Sequence, residues 1–243
     1  MHFHLPKPLH GWRAFIGEVG IIVIGVLIAL GAEQVVETIH WQSKLDAARK
    51  SIDFEINDQL DYAEEVSALG ACTDPFVDAL EGAILRHDRG AIAKLHDTGP
   101  PFKPRDWRST AWQSAMSTGV ADRLSREEVD QDGFMFSSLD DIDRVQDSVI
   151  NEFAEATSGR VGGPADATAT QMQVSAAERL RAHLKLEAVI ADTLLRVSAG
   201  RFVAGWNPIE RHPWQRLNRD RVRQSGAQCL ANARAVGAAA GPE

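Results

Sequence analysis

The residues with the clearest capacity for chemistry are the two cysteines, Cys72 and Cys229. Two thiols can form one disulfide in an oxidising compartment, and the alternative is a pair of buried, reduced thiols. No Cys-x-x-Cys spacing occurs that would lower a thiol pKa, so a redox role is not expected. The pair therefore predicts a structural bond that ties the end of the chain to its first helices.

Histidine and carboxylate spacing gives no sign of a metal or cofactor site. None of the eight histidines forms a His-Glu-x-x-His pair or another helix-spaced metal pair. The run Glu128–Gly133 resembles the start of a calcium loop, but Leu139 stands where a bidentate Glu is needed. We expect no metal and no cofactor.

The sequence also lacks the motifs of the common nucleophilic and nucleotide-dependent enzymes. It has no Gly-x-Ser-x-Gly turn, no phosphate-binding glycine loop and no dinucleotide fingerprint. A pocket uniting a Ser or Asp with His183 or His212 would indicate a hydrolase; otherwise we expect no enzyme. The net charge of −8, from 26 basic and 34 acidic residues, argues against a general nucleic-acid binder.

The element that dominates the N-terminal region is an apolar stretch without a charge, from Val19 to Ala32. It covers about 21 Å of a hydrocarbon layer of about 30 Å, so its flanks must complete a span. Trp12 and Trp41 would lie about 43 Å apart on one helix, the distance between headgroup regions where indole rings prefer to sit. The sequence predicts a transmembrane helix over 12–41, with a buried core helix or a signal peptide cleaved near Ala29 as the alternatives.

Charges and small residues around the span predict its orientation and its neighbours. Basic residues precede it, and none follows until Lys44, which favours a cytoplasmic N-terminus. Gly25 and Ala29 form a small-xxx-small face on which a second copy or another membrane protein could pack. Glu18 either bonds such a neighbouring helix or reaches the interface as a snorkelling side chain.

The start of the span resembles a known group of proteins. The run Gly17–Leu30, GEVGIIVIGVLIAL, is similar to the opening GEIxLVxIGILIALQxNxWxE of uncharacterised bacterial single-span membrane proteins. The likeness covers about 25 residues; the amide and Trp positions of the pattern hold Glu33, Gln34 and Val35 here. Ser109–Gly119 is more weakly similar to a Trp-containing helix of such proteins. The resemblance implies a membrane-anchored helical domain of unknown activity.

Helical periodicity with start signals recurs after the span, whereas strand alternation does not, so the chain is predicted to be all-α. We expect the transmembrane helix to continue into an antiparallel helical bundle. Ser158–Thr170 is predicted to be a loop. Proline predicts helix starts at Pro75 and Pro213, and capping boxes predict starts at Thr110 with Gln113, Ser125 with Glu128, and Ser175 with Glu178.

Together these features predict four regions and a non-enzymatic role. The regions are a cytoplasmic tail (1–11), the transmembrane helix (12–41), a periplasmic helical domain (42–235) and a disordered tail (236–243). Arg216, Arg219 and Arg223 form a basic face for an anionic partner or for the acidic middle helices of the same bundle. We expect an accessory or interaction subunit of the inner membrane; a ligand-sensing module with a separate signalling partner is the alternative, and a membrane-anchored hydrolase the third hypothesis.

Overall fold

The computed structural model of the chain describes residues 12–101, 104–107, 109–158, 166–203, 224 and 226–235. Every regular element in these ranges is helical, so the predicted all-α class is confirmed. Residues 226–235 are also helical and are called the terminal segment below. The other helices are α1 (Trp12–Leu69), α2 (Thr73–Leu85), α3 (Arg89–Thr98), α4 (Thr110–Ser117), α5 (Arg126–Thr157) and α6 (Ala167–Val203), with short 3-10 turns at Gly70–Cys72 and Ala121–Arg123.

The chain divides into two compact units, Met1–Lys50 and Ser51–Glu243. In the first unit, the side chains of α1 are exposed throughout the apolar stretch, with Ile21 74% exposed. Among the described residues this is the one helix long and apolar enough to cross a membrane, judged by length and composition alone. None of its most apolar window is buried, which argues against the alternative of a core helix.

In the second unit, the later part of α1 has a buried face. Ile52, Ile56, Ala63 and Val66 are buried, and Leu60 is partly buried. Such burial at three- and four-residue intervals is what places one side of a helix against a core.

The centre of the second unit is built from α2, α5 and α6, whose buried residues form one apolar cluster. Helix α6 runs antiparallel to both α5 and α2, because residues that come later in one helix contact residues that come earlier in its partner. Glu155 and then Glu152 of α5 meet Arg179 and then His183 of α6. The same order holds between α2 and α6, where Arg181 contacts Glu81 and Lys185 contacts Asp74, so α2 and α5 run in the same direction, opposite to α6. The largest fully buried side chains in the unit include Phe76, Leu80, Ile84, Phe136, Leu139, Ile142 and Leu180.

The predicted helix starts have mixed outcomes. The capping box of Ser125 and Glu128 is confirmed: the Glu128 amide donates to the Ser125 hydroxyl, and the Ser125 amide donates to the Glu128 carboxylate. The start at Ser175 is wrong, since α6 already begins at Ala167 and Asp166 accepts hydrogen bonds from its first amides. An aspartate at the N-cap accepts hydrogen bonds from the first backbone amides of a helix, as a capping serine would. Helix-compatible residues then continue past Ser175 without interruption.

The capping box predicted at Thr110 is wrong for a different reason. The Thr110 and Ala111 amides, which begin α4, donate to the two carboxylate oxygens of Glu55 on α1, at 2.9 and 2.6 Å. Gln113 instead donates to the Ser109 hydroxyl. A distant carboxylate thus replaces the local cap, as the positive end of a helix favours.

Several predictions lie outside the described residues. These are the 1–11 and 236–243 tails, the helix start at Pro213, His212, and the basic face of Arg216, Arg219 and Arg223. The loop prediction over Ser158–Thr170 is wrong from residue 167 onward, where α6 has begun, and residues 159–165 lie outside the described part.

Candidate functional site

The predicted cysteine pair is present as a disulfide. Cys72, at the end of the 3-10 turn before α2, is bonded to Cys229 of the terminal segment, with 6.2 Å between their Cα atoms. Cys72 is fully buried, and Leu230, next to its partner, packs on the same apolar cluster. The bond closes a sequence separation of 157 residues. On the chain-entropy model such a loop corresponds to about 5 kcal/mol of stabilisation, which makes this bond structural.

The residues predicted to act in the membrane lie on the exposed first part of α1. A Cβ atom added at Gly17, Gly20, Gly25 or Gly31 would meet nothing within 4 Å in the described chain. Glu18 and Ala29 are also exposed. Both tryptophans predicted to mark the interfaces belong to the same helix; Trp12 stacks on Phe15, and Lys44 lies 4.9 Å from the Trp41 ring.

A network around Gln146 attaches the segment between α3 and α4 to the bundle. The Gln146 amide group exchanges two hydrogen bonds with the backbone of Arg105, at 2.8 and 2.7 Å, and also accepts one from the indole of Trp107. Arg105 in turn pairs with the buried carboxylate of Glu65 at 2.8 Å and lies over the ring of Tyr62. The Gln146 amide, the Trp107 indole and the Glu65 carboxylate all have protein partners, and Arg105 Nε is the one buried polar atom of these four side chains without one in the described chain. The network is therefore suited to holding the segment in place.

An ion-pair network joins α2 to α6. The guanidinium of Arg181 contacts Asp74, Asp78 and Glu81 at 3.3, 2.7 and 2.9 Å, and Lys185 lies 2.8 Å from Asp74. Burial opposes the charge of Arg181, but hydrogen bonds to Asp78 and Glu81 outweigh it and raise its pKa above the usual range. The hydrogen bond from Lys185 lowers the pKa of Asp74 against the opposing effect of burial. Acidic side chains of α2 and basic side chains of α6 therefore hold the two helices together through complementary charge.

His183 meets a carboxylate and not a nucleophile. Its Nδ1 atom lies 2.7 Å from Glu152 Oε2, and Arg179 lies 3.4 Å from the other oxygen of that carboxylate. A buried carboxylate orients an imidazole in many hydrolases, but those sites also need a hydroxyl or thiol on the far side. The cavity between α3 and the end of α5 does not include His183, whose imidazole is paired with the Glu152 carboxylate.

A cavity of about 300 Å³ lies between α3 and the end of α5. His96 stacks on Phe153 with ring centroids 5.8 Å apart, which sets the orientation of its imidazole at the cavity. The hydroxyl groups of Thr157 and Ser158 donate to backbone carbonyl groups of α5. Ser158 is therefore not bonded to His96, which is the contact that a nucleophilic pair would need. The lining residues are Arg89, Ile92, Ala93, His96, Asp97, Thr157 and Ser158.

Glu187 is the most unusual titratable group of the second unit. It is 1% exposed, and neither carboxylate oxygen has a hydrogen-bond partner within the described part of the chain. Burial raises its pKa to about 7, because the charged form loses its hydration without a compensating partner. Sequence reasoning missed it, since a Glu in an amphipathic helix is ordinarily exposed.

Comparison with family models, with curated proteins and with solved structures finds no match to this chain. No cluster of three or more His, Cys, Asp or Glu side chains able to hold a metal ion occurs among the described residues. The features of the described chain that bear on function are the exposed apolar part of α1, the disulfide and the cavity.

Proposed function

We propose that this chain is a single-pass protein of a bacterial inner membrane whose helical domain faces the periplasm and serves as an accessory or interaction subunit. The observation that carries the proposal is the exposed apolar stretch of α1, whose side chains need a lipid bilayer or another protein to cover them. The resemblance of Gly17–Leu30 to bacterial single-span proteins supports the same assignment.

The disulfide supports the periplasmic side of the proposal. Disulfides persist in oxidising compartments such as the periplasm and are rare in the cytoplasm, and Cys72 and Cys229 are bonded here. A basic N-terminal flank agrees with this orientation.

Topology is testable with reporter fusions at the C-terminus of the full chain. An alkaline phosphatase fusion, which is active only after export, is expected to be active, and a matched green fluorescent protein fusion exported by the same pathway is expected to be dark. The reverse pattern would place the domain in the cytoplasm and contradict the proposal.

The span itself is the proposed contact for a second copy or another membrane protein. Small residues at Gly25 and Ala29 allow close approach of two helix backbones, and Glu18 supplies a side chain able to bond across the contact. The exposure of all three residues supports this, because nothing else in the described chain covers them.

Native membrane extraction followed by blue-native electrophoresis tests the contact. Gly25→Leu is expected to remove the higher-mass species by blocking close approach. Gly31→Leu is the matched control, since the same substitution six residues further on lies on another face of the helix. A wild-type protein that is monomeric and without partners, or equal effects of the two substitutions, would contradict the proposed contact.

Ligand sensing is the second candidate function, and the observation that favours it is the cavity between α3 and α5. Its volume is at the lower end of the range of small-ligand sites. A sensor of this kind would work with a separate signalling partner in the membrane.

A further inference from the structure

We infer that the cavity between α3 and the end of α5 binds a short peptide of two or three residues with free, charged termini. The inference gives the ligand-sensing candidate its substrate class and is independent of the interaction role. Three features of the cavity support it: the positions of opposite charges, the hydrogen bonds of its wall, and its volume.

The first and the last residues of α3 that line the cavity carry opposite charges. Arg89 and Asp97 both line it and lie eight positions apart on α3, which corresponds to about 12 Å along the helix. An extended peptide advances about 3.3–3.6 Å per residue, so two or three residues place a terminal carboxylate and a terminal ammonium group about 7–11 Å apart. The side chains of Arg89 and Asp97 can cover the remaining distance. Free amino acids are too short to reach both charges, and longer peptides would have to leave the cavity.

The two charged residues suit the two peptide termini chemically. Arg89 already interacts with another group of the protein. Its guanidinium has five N–H donors in a planar fork that matches a carboxylate, and this capacity allows it to hold a ligand as well. The Asp97 carboxylate is 84% exposed, so it can accept hydrogen bonds from an ammonium group without breaking a buried contact.

The cavity wall offers acceptors to the amide groups of a peptide. The Thr157 hydroxyl donates to the Phe153 carbonyl at 2.7 Å and the Ser158 hydroxyl donates to the Glu155 carbonyl at 2.9 Å. Because each hydroxyl proton is already used in a hydrogen bond, the hydroxyl oxygens of Thr157 and Ser158 are left to accept hydrogen bonds from the N–H groups of a peptide. The Ser158 carbonyl is held by Gln173 at 3.0 Å, which fixes this part of the wall.

Size and polarity limit the peptide to small side chains. The cavity has a volume of about 300 Å³, and Ile92 and Ala93 are the aliphatic residues of its lining. The stacking of His96 on Phe153 keeps the imidazole ring in one plane beside the cavity, where its N–H can meet a peptide carbonyl. The ligand class is therefore a small, zwitterionic di- or tripeptide.

Isothermal titration of the full chain in lipid nanodiscs with trialanine tests the inference. We expect saturable binding, weakened at least tenfold when the peptide is N-acetylated or C-amidated. Alanine alone and hexa-alanine are expected to bind at least tenfold more weakly. Absence of saturable binding of trialanine at millimolar concentration, or binding that is indifferent to both blocking groups, would overturn the inference.

Two substitutions assign the termini. Arg89→Gln is expected to weaken trialanine binding at least tenfold and to abolish the difference between the free and the C-amidated peptide; Asp97→Asn does the same for the N-acetylated peptide. Lys94→Gln removes a charge from α3 outside the cavity lining and is expected to bind as the wild type does. If Lys94→Gln weakens binding as much, general charge and not the cavity is responsible. These measurements are independent of topology and of association through the span, so their failure leaves the interaction proposal in place.

Discussion

Glu187 should make the stability of the helical domain depend on pH in the direction opposite to that of most carboxylates. Its pKa is raised by burial from the ordinary 4.5 to about 7 in the folded protein. The folded state then binds more protons than the unfolded state between these values, so stability is full below pH 4.5, falls as pH rises, and levels off above about pH 7. At 1.36 kcal/mol per pKa unit, the total loss is about 3 kcal/mol.

The test is Glu187→Gln, which resembles the protonated side chain in shape and cannot ionise. Urea unfolding of the full chain in detergent micelles, followed by tryptophan fluorescence, gives the free energy of unfolding at pH 4 and at pH 8. We expect the variant to match the wild type within about 1 kcal/mol at pH 4 and to be more stable by about 3 kcal/mol at pH 8.

Glu178→Gln is the matched control, because Glu178 is an exposed carboxylate on the same helix. It should change stability equally at both pH values. The difference between each variant and the wild type cancels the titration of the other carboxylates, including the salt-bridged Asp74. A Glu187→Gln variant whose stability relative to the wild type is the same at pH 4 and pH 8 would refute the reasoning.

Three further predictions concern the contacts that hold the domain together. Replacing both Cys72 and Cys229 by Ala should lower the free energy of unfolding by up to about 5 kcal/mol, and non-reducing peptide mass spectrometry should detect the bond in the wild type. Arg181→Gln should destabilise the domain in urea by about 1–2 kcal/mol because it leaves three carboxylates without their shared partner, whereas Arg196→Gln, at an exposed pair within α6, should have little effect. Gln146→Ala should cost about 2–3 kcal/mol and increase amide hydrogen exchange at Arg105, since its backbone loses both hydrogen bonds.

Local patterns in the sequence predicted the helices better than they predicted how the helices begin. Ser125 and Glu128 are three residues apart and satisfy each other in any helix that starts there, so their capping box could be read directly. The amides at the start of α4 are instead satisfied by Glu55, which is 55 residues away from Thr110. No local pattern identifies a carboxylate on another helix as a cap.

The charge-based predictions show the same limit. The sequence-based prediction concerned Arg216, Arg219 and Arg223, which lie outside the described residues, whereas the acidic residues of α2 pair with Arg181 of α6. Composition could not identify Arg181 as the residue that pairs with α2, because Arg179 carries the same charge on the same helix and pairs with Glu155 of α5 instead. The choice follows from which side of α6 is turned toward α2.

The sequence by itself determined the all-α class and the apolar stretch of α1. It also determined the cysteine pairing, because two cysteines allow one intramolecular pair. These depend on composition and on periodicity within one helix, which operate over a few residues. Only the tertiary structure decided that Glu187 is buried without a partner, that Glu55 caps α4, and that α3 and α5 leave a cavity between them. Each of these requires residues that are far apart in the chain to meet, and the meeting is set by the packing of whole helices.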